Sequence, residues 1–277
     1  MFSERTRGIG EVYTQRHAAR VGLFGEKPYA NYGYWSSPGV TIDEACDTLT
    51  EQVAKAAGIE PGDRVLEVGC GYGAGTVHYT RLLRPSRVVG LDITELRVQS
   101  ARDYAAACGL SDTIAFGLGD ATHLDFPDAS FERVVGIECA LHFDTREDFL
   151  REAARVLVPG GGLGLADIVI RRGADRGEFL EKVHFPVGSD GRLDVMENVY
   201  DADVYAEILR KCGLADERVD VITEHTFPHF VAHLEGVAAK SGDEFAPRRI
   251  RAAQIIREYL RLGLEYVLVS ARKPLSA

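Results

Sequence analysis

Apolar positions along the chain follow two different periods. From about residue 64 onward, short runs rich in Val and Ile alternate with longer stretches whose apolar residues recur every three to four positions. That alternation is the pattern of βαβ units feeding a mainly parallel sheet. The short runs predict strands at 65–68, 87–91, 114–117, 133–137, 163–170, 219–223 and 266–271. Between them "GTVHYTRLLRPS", "ELRVQSARDYAAACGL" and "TREDFLREAARVLVPGGG" read as helices closed by Pro or Gly. An earlier helix over 41–58 places Ile42, Ala45, Leu49, Val53 and Ala56 on one face. The expected fold is therefore α/β, a doubly wound Rossmann-like sheet of seven mainly parallel strands.

Two regions break the alternation. Residues 1–40 are aromatic-rich and read as a helical N-terminal lid segment, while 171–200 form a polar, glycine-punctuated insertion after the fifth strand. Ligands of open α/β sheets bind beyond the carboxyl ends of the strands, where this insertion leaves the sheet. It is expected to cap an acceptor site within a main domain over 41–277.

The stretch "VLEVGCGYGAGT" joins the first predicted strand to a helix through a glycine loop. Gly69, Gly71 and Ala74 match the spacing of dinucleotide loops, yet Glu67 stands at the loop's mouth. A pyrophosphate would be repelled there, whereas a ligand ammonium would be attracted. Asp92, in "VVGLDIT" at the end of the second strand, can accept from both hydroxyls of a ribose. S-adenosylmethionine carries an amino group, a ribose and an adenine but no phosphate, so Glu67 favours it over a nicotinamide cofactor. In "GDATHLDFP", Asp120 is suited to accept from the adenine amino group, and the backbone of Ala121 to meet the ring edge.

Taken in order, "LEVGCGYGAG", "VVGLDIT", "GDATHLDFPDASFERVVGIECALHF" and "RVLVPGGGLGLADI" resemble the motifs of class I S-adenosylmethionine-dependent methyltransferases over about residues 63–170. Outside that core, "YANYGYW", "ECALHF" and "LEYVLVSARKPL" resemble the small-molecule methyltransferases of antibiotic biosynthesis, notably the erythromycin-type sugar O-methyltransferases. The resemblance implies S-adenosyl-L-methionine as cofactor and a small-molecule acceptor. It also implies that Glu67 meets the methionine amino group and that Gly69, Cys70, Gly71 and Gly73 let the backbone approach. Asp92 and Ile93 would lie at the ribose, Tyr32, Tyr34 and Trp35 would close over the methionyl end, and Glu138 would serve the cofactor. Family membership specifies the donor better than the acceptor.

Methyl transfer from a sulfonium needs alignment and, for a hydroxyl acceptor, removal of one proton. His142 in "IECALHF" leaves the end of the fourth strand and is the expected general base; Asp167 in "GLADIV" is expected to orient it. The alternatives are carbon methylation of an isoprenoid, aromatic or indole-type acceptor, nitrogen methylation, or cofactor binding without turnover. For a carbon acceptor, Phe24, Tyr29, Tyr32, Tyr34, Trp35 and Phe143 would supply a cation-stabilising wall.

Composition narrows the picture further. With 32 Lys and Arg against 42 Asp and Glu, the formal charge of −10 disfavours a nucleic-acid partner. The basic cluster Arg248, Arg249, Arg251, Arg257 and Arg261 reads as the solvated face of a helix. Cys46, Cys70, Cys108, Cys139 and Cys212 form no CxxC pair, and Pro228 interrupts the His225, His229, His233 series, so neither disulfides nor a metal site is expected. The charged N-terminus lacks the apolar core of a signal peptide, and no apolar run spans a bilayer. A cytoplasmic enzyme without a membrane partner is expected, and assembly into a homo-oligomer is compatible with it.

Overall fold

The computed structural model describes residues 2–15, 23–185 and 196–275. Its centre is a seven-stranded sheet in the order β3-β2-β1-β4-β5-β7-β6. The strands are β1 (Arg64–Val68), β2 (Arg87–Asp92), β3 (Ile114–Leu118), β4 (Phe131–Ile137), β5 (Leu157–Ile170), β6 (Ala215–Val221) and β7 (Leu264–Arg272). The first five run parallel, and β7 inserts antiparallel between β5 and β6. Successive residues of β1 divide between two cores: Val65 joins the one holding Leu49, Val77 and Tyr266, and Leu66 the one holding Val134, Phe149 and Leu163. Burial on both faces is why the run is apolar without alternation.

Helices α1 (Glu4–Gln15), α2 (Ile42–Ala57), α3 (Ala74–Leu83), α4 (Glu95–Ala107) and α5 (Arg146–Val156) accompany the parallel half of the sheet. They are followed by α6 (Arg176–Lys182), α7 (Ala202–Lys211), α8 (Phe227–Ser241) and α9 (Ala246–Arg261). Thr41 and Glu44 form a capping box that starts α2, and Gly58 ends it in the left-handed conformation at φ 71°. A second capping box, Thr145 with Asp148, starts α5 immediately after the turn bearing His142. No helix among the described residues is long and apolar enough to cross a membrane.

The sequence locates every strand, with two differences in where they start. β5 starts at Leu157 rather than 163, because the expected Pro-Gly turn is held in the sheet as a register shift that pairs Phe131 with Leu157 and Arg133 with Gly162. β6 is an edge strand whose exposed residues alternate with half-buried ones, and it begins at Ala215 rather than 219. Between β6 and β7, antiparallel neighbours that a tight turn could join, the chain instead inserts α8 and α9, packed on one another. The insertion after β5 contains α6 and a short turn of helix at Met196–Asn198; its middle, and part of the expected N-terminal lid, lie outside the described residues.

Candidate active site

The strand order reverses at β1, which has β2 on one side and β4 on the other, so a crevice opens beyond Val68 and Ile137. A cavity of 580 Å³ lies there, bounded by the glycine loop, α1, residues 23–32, the turn after β4, α8 and α9. Gly69 has φ 64°, and a Cβ on it would fall 2.4 Å from Cys139 Cβ, so only glycine lets the ends of β1 and β4 meet. Gly73 behaves differently from expectation. It does not border the cavity; its φ of 79° starts α3, and a Cβ would press on Phe116 at 2.9 Å and on Ala101 at 3.0 Å. Its role is close helix packing rather than ligand approach.

At one end of the cavity stand Glu67, Gly69, Cys70, Gly71, Asp92, Ile93, Asp120 and Ala121, as the sequence motifs imply. Glu67 is buried and accepts from the Tyr79 hydroxyl at 3.0 Å. Burial pushes its carboxyl up to about 7, opposed only in part by hydrogen bonding to Thr76 and Tyr79. Asp92 accepts from the Gly71 N–H at 3.1 Å and the Thr94 N–H at 2.9 Å, which fixes its position between loop and α4. Asp120 accepts from the Thr122 N–H and hydroxyl at 2.9 and 2.8 Å. The acceptor set suits a ligand with an ammonium and a vicinal diol: a buried carboxyl that meets no cation among the described residues, followed by an aspartate held by backbone donors.

His142 lies in the short helical turn Ala140–His142 and is buried against the cavity. Its Nε2 stands 2.7 Å from the Tyr13 hydroxyl of α1. Burial, reinforced by the Arg97 and Arg146 guanidiniums, pushes its pKa down to about 3, so the imidazole is neutral across the working range. The expected partnership with Asp167 is not made. Asp167 is fully buried, with Arg146 Nε 2.9 Å from Oδ2 and the Tyr205 hydroxyl donating to it at 3.0 Å. An Arg146 guanidinium with no exposure requires that carboxylate, and β5 and α5 place the two together behind the turn that carries His142.

Arg97 and Tyr13 also border the cavity beside His142 and Asp92, and the motifs do not reveal them. Arg97 places its guanidinium 4.1 Å from the centroid of Tyr13, 5.2 Å from that of Tyr72, and 3.9 Å from Asp92 Oδ2. A cation in the first turn of α4 opposes the helix dipole, and that anomaly was the available signal. Tyr13 has no local signal, because its partner His142 lies 129 residues away.

The other end of the cavity is lined by Leu23, Phe24, Tyr32, Leu141, Phe143, Ile168, Phe185, Phe230, Ala252 and Ile255. Glu138, also on the cavity, accepts from the Tyr32 N–H at 2.8 Å and the Tyr266 hydroxyl at 2.7 Å. Burial pushes its carboxyl up to about 8. Of the expected aromatic trio only Tyr32 borders the cavity. Tyr34 stacks on His225, in the short helical turn Thr223–His225, with centroids 4.6 Å apart, and Trp35 packs against His229 and His233 of α8, so both fasten the N-terminal segment to the region after β6. The three histidines are thereby committed to aromatic packing; among the described residues no cluster of potential metal ligands occurs. The basic face of α9 is not simply solvated. Arg249 is buried and bonds Asp243, while Arg248 and Arg251 border the cavity.

Comparison with known proteins agrees with this geometry. A family described as methyltransferase domain matches residues 65–161. Erythromycin 3''-O-methyltransferase of Saccharopolyspora erythraea is 32% identical over 98% of this chain and 91% of its own. The 27-O-demethylrifamycin SV methyltransferase of Amycolatopsis mediterranei is 31% identical over 91% of this chain and 92% of its own. Among solved structures, the 4+2 cyclase SpnF superposes with a TM-score of 0.78 at 26% identity, over 98% of this chain and 97% of that one.

Proposed function

As the chain belongs to the class I S-adenosylmethionine-dependent methyltransferases, we propose that it methylates a hydroxyl of a bulky, largely apolar natural product of the antibiotic class, with His142 taking the proton. The observation that carries the reading is the division of one cavity: acidic groups Glu67, Asp92 and Asp120 at one end, an apolar wall at the other, and His142 beside both.

In this reading Glu67 holds the ammonium of S-adenosylmethionine and Asp92 the ribose hydroxyls, with Ile93 beside the ribose and Asp120 and Ala121 at the adenine. When bound, the cofactor supplies an activated methyl on a sulfonium whose charge disappears as the methyl leaves. His142 is neutral and ready to accept, and the acceptor hydroxyl replaces the Tyr13 phenol at Nε2. Burial and two guanidiniums already disfavour the imidazolium, a bound sulfonium would disfavour it further, and that last opposition disappears only as the methyl leaves. Proton uptake by His142 is thus favoured late, as the methyl transfers. Glu138 anchors the Tyr32 backbone and so holds the N-terminal segment over the site.

A positioned base contributes roughly 10² to 10⁴ in rate, so His142→Ala should lose activity on that scale while binding S-adenosylhomocysteine normally. Near wild-type formation of an O-methyl product would remove His142 from the mechanism. A second reading, methylation at carbon, is supported by the wall formed by Phe24, Tyr32 and Phe230, whose ring centroids are 5.7 and 5.1 Å apart and suit a cationic intermediate. There His142→Ala would change the product distribution rather than donor consumption.

A further inference from the structure

We infer that Asn198 is a positioning residue that ties the acceptor cap to the turn presenting His142, an inference that rests on the reading of His142 as base. Asn198 closes the short helical turn Met196–Asn198 at the end of the insertion after β5 and is 4% exposed. Its Nδ2 donates to Leu141 O at 3.0 Å and Phe143 O at 2.9 Å, with Ala140 O at 3.4 Å. These carbonyls frame His142 on both sides. On its other face Oδ1 accepts from the Arg146 N–H at 2.8 Å, and the Asn198 carbonyl accepts from Arg146 Nη1 at 2.8 Å.

Only a side chain that donates on one edge and accepts on the other satisfies both sets of partners. Two carbonyls at the end of a short helical turn have no continuing helix to serve them, and Asn198 takes that place from a segment more than fifty residues further along the chain. The same residue borders a small side cavity of 40 Å³ shared with His142, Leu141, Phe179 and Val183. One amide therefore joins the turn Met196–Asn198 to the turn that carries the imidazole, and Arg146 extends the connection to the buried Asp167.

The test is Asn198→Asp, which keeps the acceptor for the Arg146 N–H and removes the Nδ2 donor, alongside Asn198→Ala, which removes both. In protein saturated with S-adenosylhomocysteine, the ¹⁵N resonances of the His142 imidazole report its setting without turnover. Both variants should bind S-adenosylhomocysteine within about twofold of wild type, since Glu67 and Asp92 lie at the other end of the cavity. The His142 resonances should move in both variants. With an acceptor that the wild type methylates, kcat should fall roughly 10- to 100-fold with little change in KM, the scale of a misplacement near 1 Å. Unmoved His142 resonances in both folded variants would overturn the positioning role. A His142→Ala enzyme that stays active would overturn the base assignment instead, leaving the resonance result to stand separately.

Discussion

The acidic residue at the mouth of the glycine loop makes a quantitative prediction about cofactor binding. In the free protein burial holds the Glu67 carboxyl up to about 7, so near neutrality it is only partly ionised. An ammonium brought against it lowers such a carboxyl by roughly 1 to 3 units. Between the free and bound values, binding must expel one proton, and the dissociation constant for S-adenosylhomocysteine should rise about tenfold for each pH unit below 7, or about 1.4 kcal/mol per unit. Above about pH 8 the Glu67 contribution should level off, because the carboxylate is already formed. Glu67→Gln should abolish that slope and weaken binding at pH 8 by about 1.5–3 kcal/mol, roughly 10- to 150-fold, the worth of a charge-assisted bond. Titration calorimetry from about pH 5.5 to 8.5, in buffers of different ionisation enthalpy, reads the affinity and the proton release together. A slope that persists in Glu67→Gln, or a variant that binds like wild type, would show that the ammonium lies elsewhere.

Three further outcomes follow from the geometry. Asp167→Asn should leave Arg146 buried without its counter-charge and cost about 3–5 kcal/mol in chemical denaturation, with loss of stability preceding any specific loss of rate. Glu67 and Glu138 both have folded-state pKa values raised above the ordinary 4.5, so the stability they contribute is present below that value and is lost as pH rises through about 7 and 8. The melting temperature of ligand-free protein should fall over that window, and a Glu67→Gln, Glu138→Gln double variant should flatten the fall; an unchanged slope would contradict the assignment. Gly73→Ala should cost about 1–2 kcal/mol for the left-handed backbone alone, more with the contact on Phe116, and should show in denaturation before it shows in cofactor affinity.

The parallel half of the fold was legible because its signals are local. Strand runs such as 65–68 and the glycine loop carry their own periodicity and turn chemistry, and Glu67, Asp92, Asp120 and Ala121 follow from their positions at strand ends. Residues whose roles depend on distant partners were not legible. Asp167 stands at the expected strand position, but Arg146 takes its carboxylate, and nothing in the local sequence ranks that guanidinium above His142 as partner. Trp35 and Tyr34 are aromatic in the N-terminal segment, yet the turn Thr223–His225 supplies His225 and α8 supplies His229 and His233 for them to pack on, drawing both rings away from the cavity. The arginines of α9 share a helix and differ in fate, because only the neighbouring elements decide which of them turns toward Asp243 and which borders the cavity.

The assignment of the reaction is tested most directly by the position of the transferred methyl group. The protein is incubated with S-adenosylmethionine carrying a ¹³C-labelled methyl and a macrolide glycoside bearing a free sugar hydroxyl, and the product is resolved by mass spectrometry and carbon–proton correlation NMR. With a hydroxyl acceptor and His142 as base, each product should carry one labelled methyl resonating as a methoxy group, with stoichiometric S-adenosylhomocysteine and with formation lost in His142→Ala. A labelled methyl bonded to carbon, or conversion of the acceptor without consumption of the donor, would contradict that assignment.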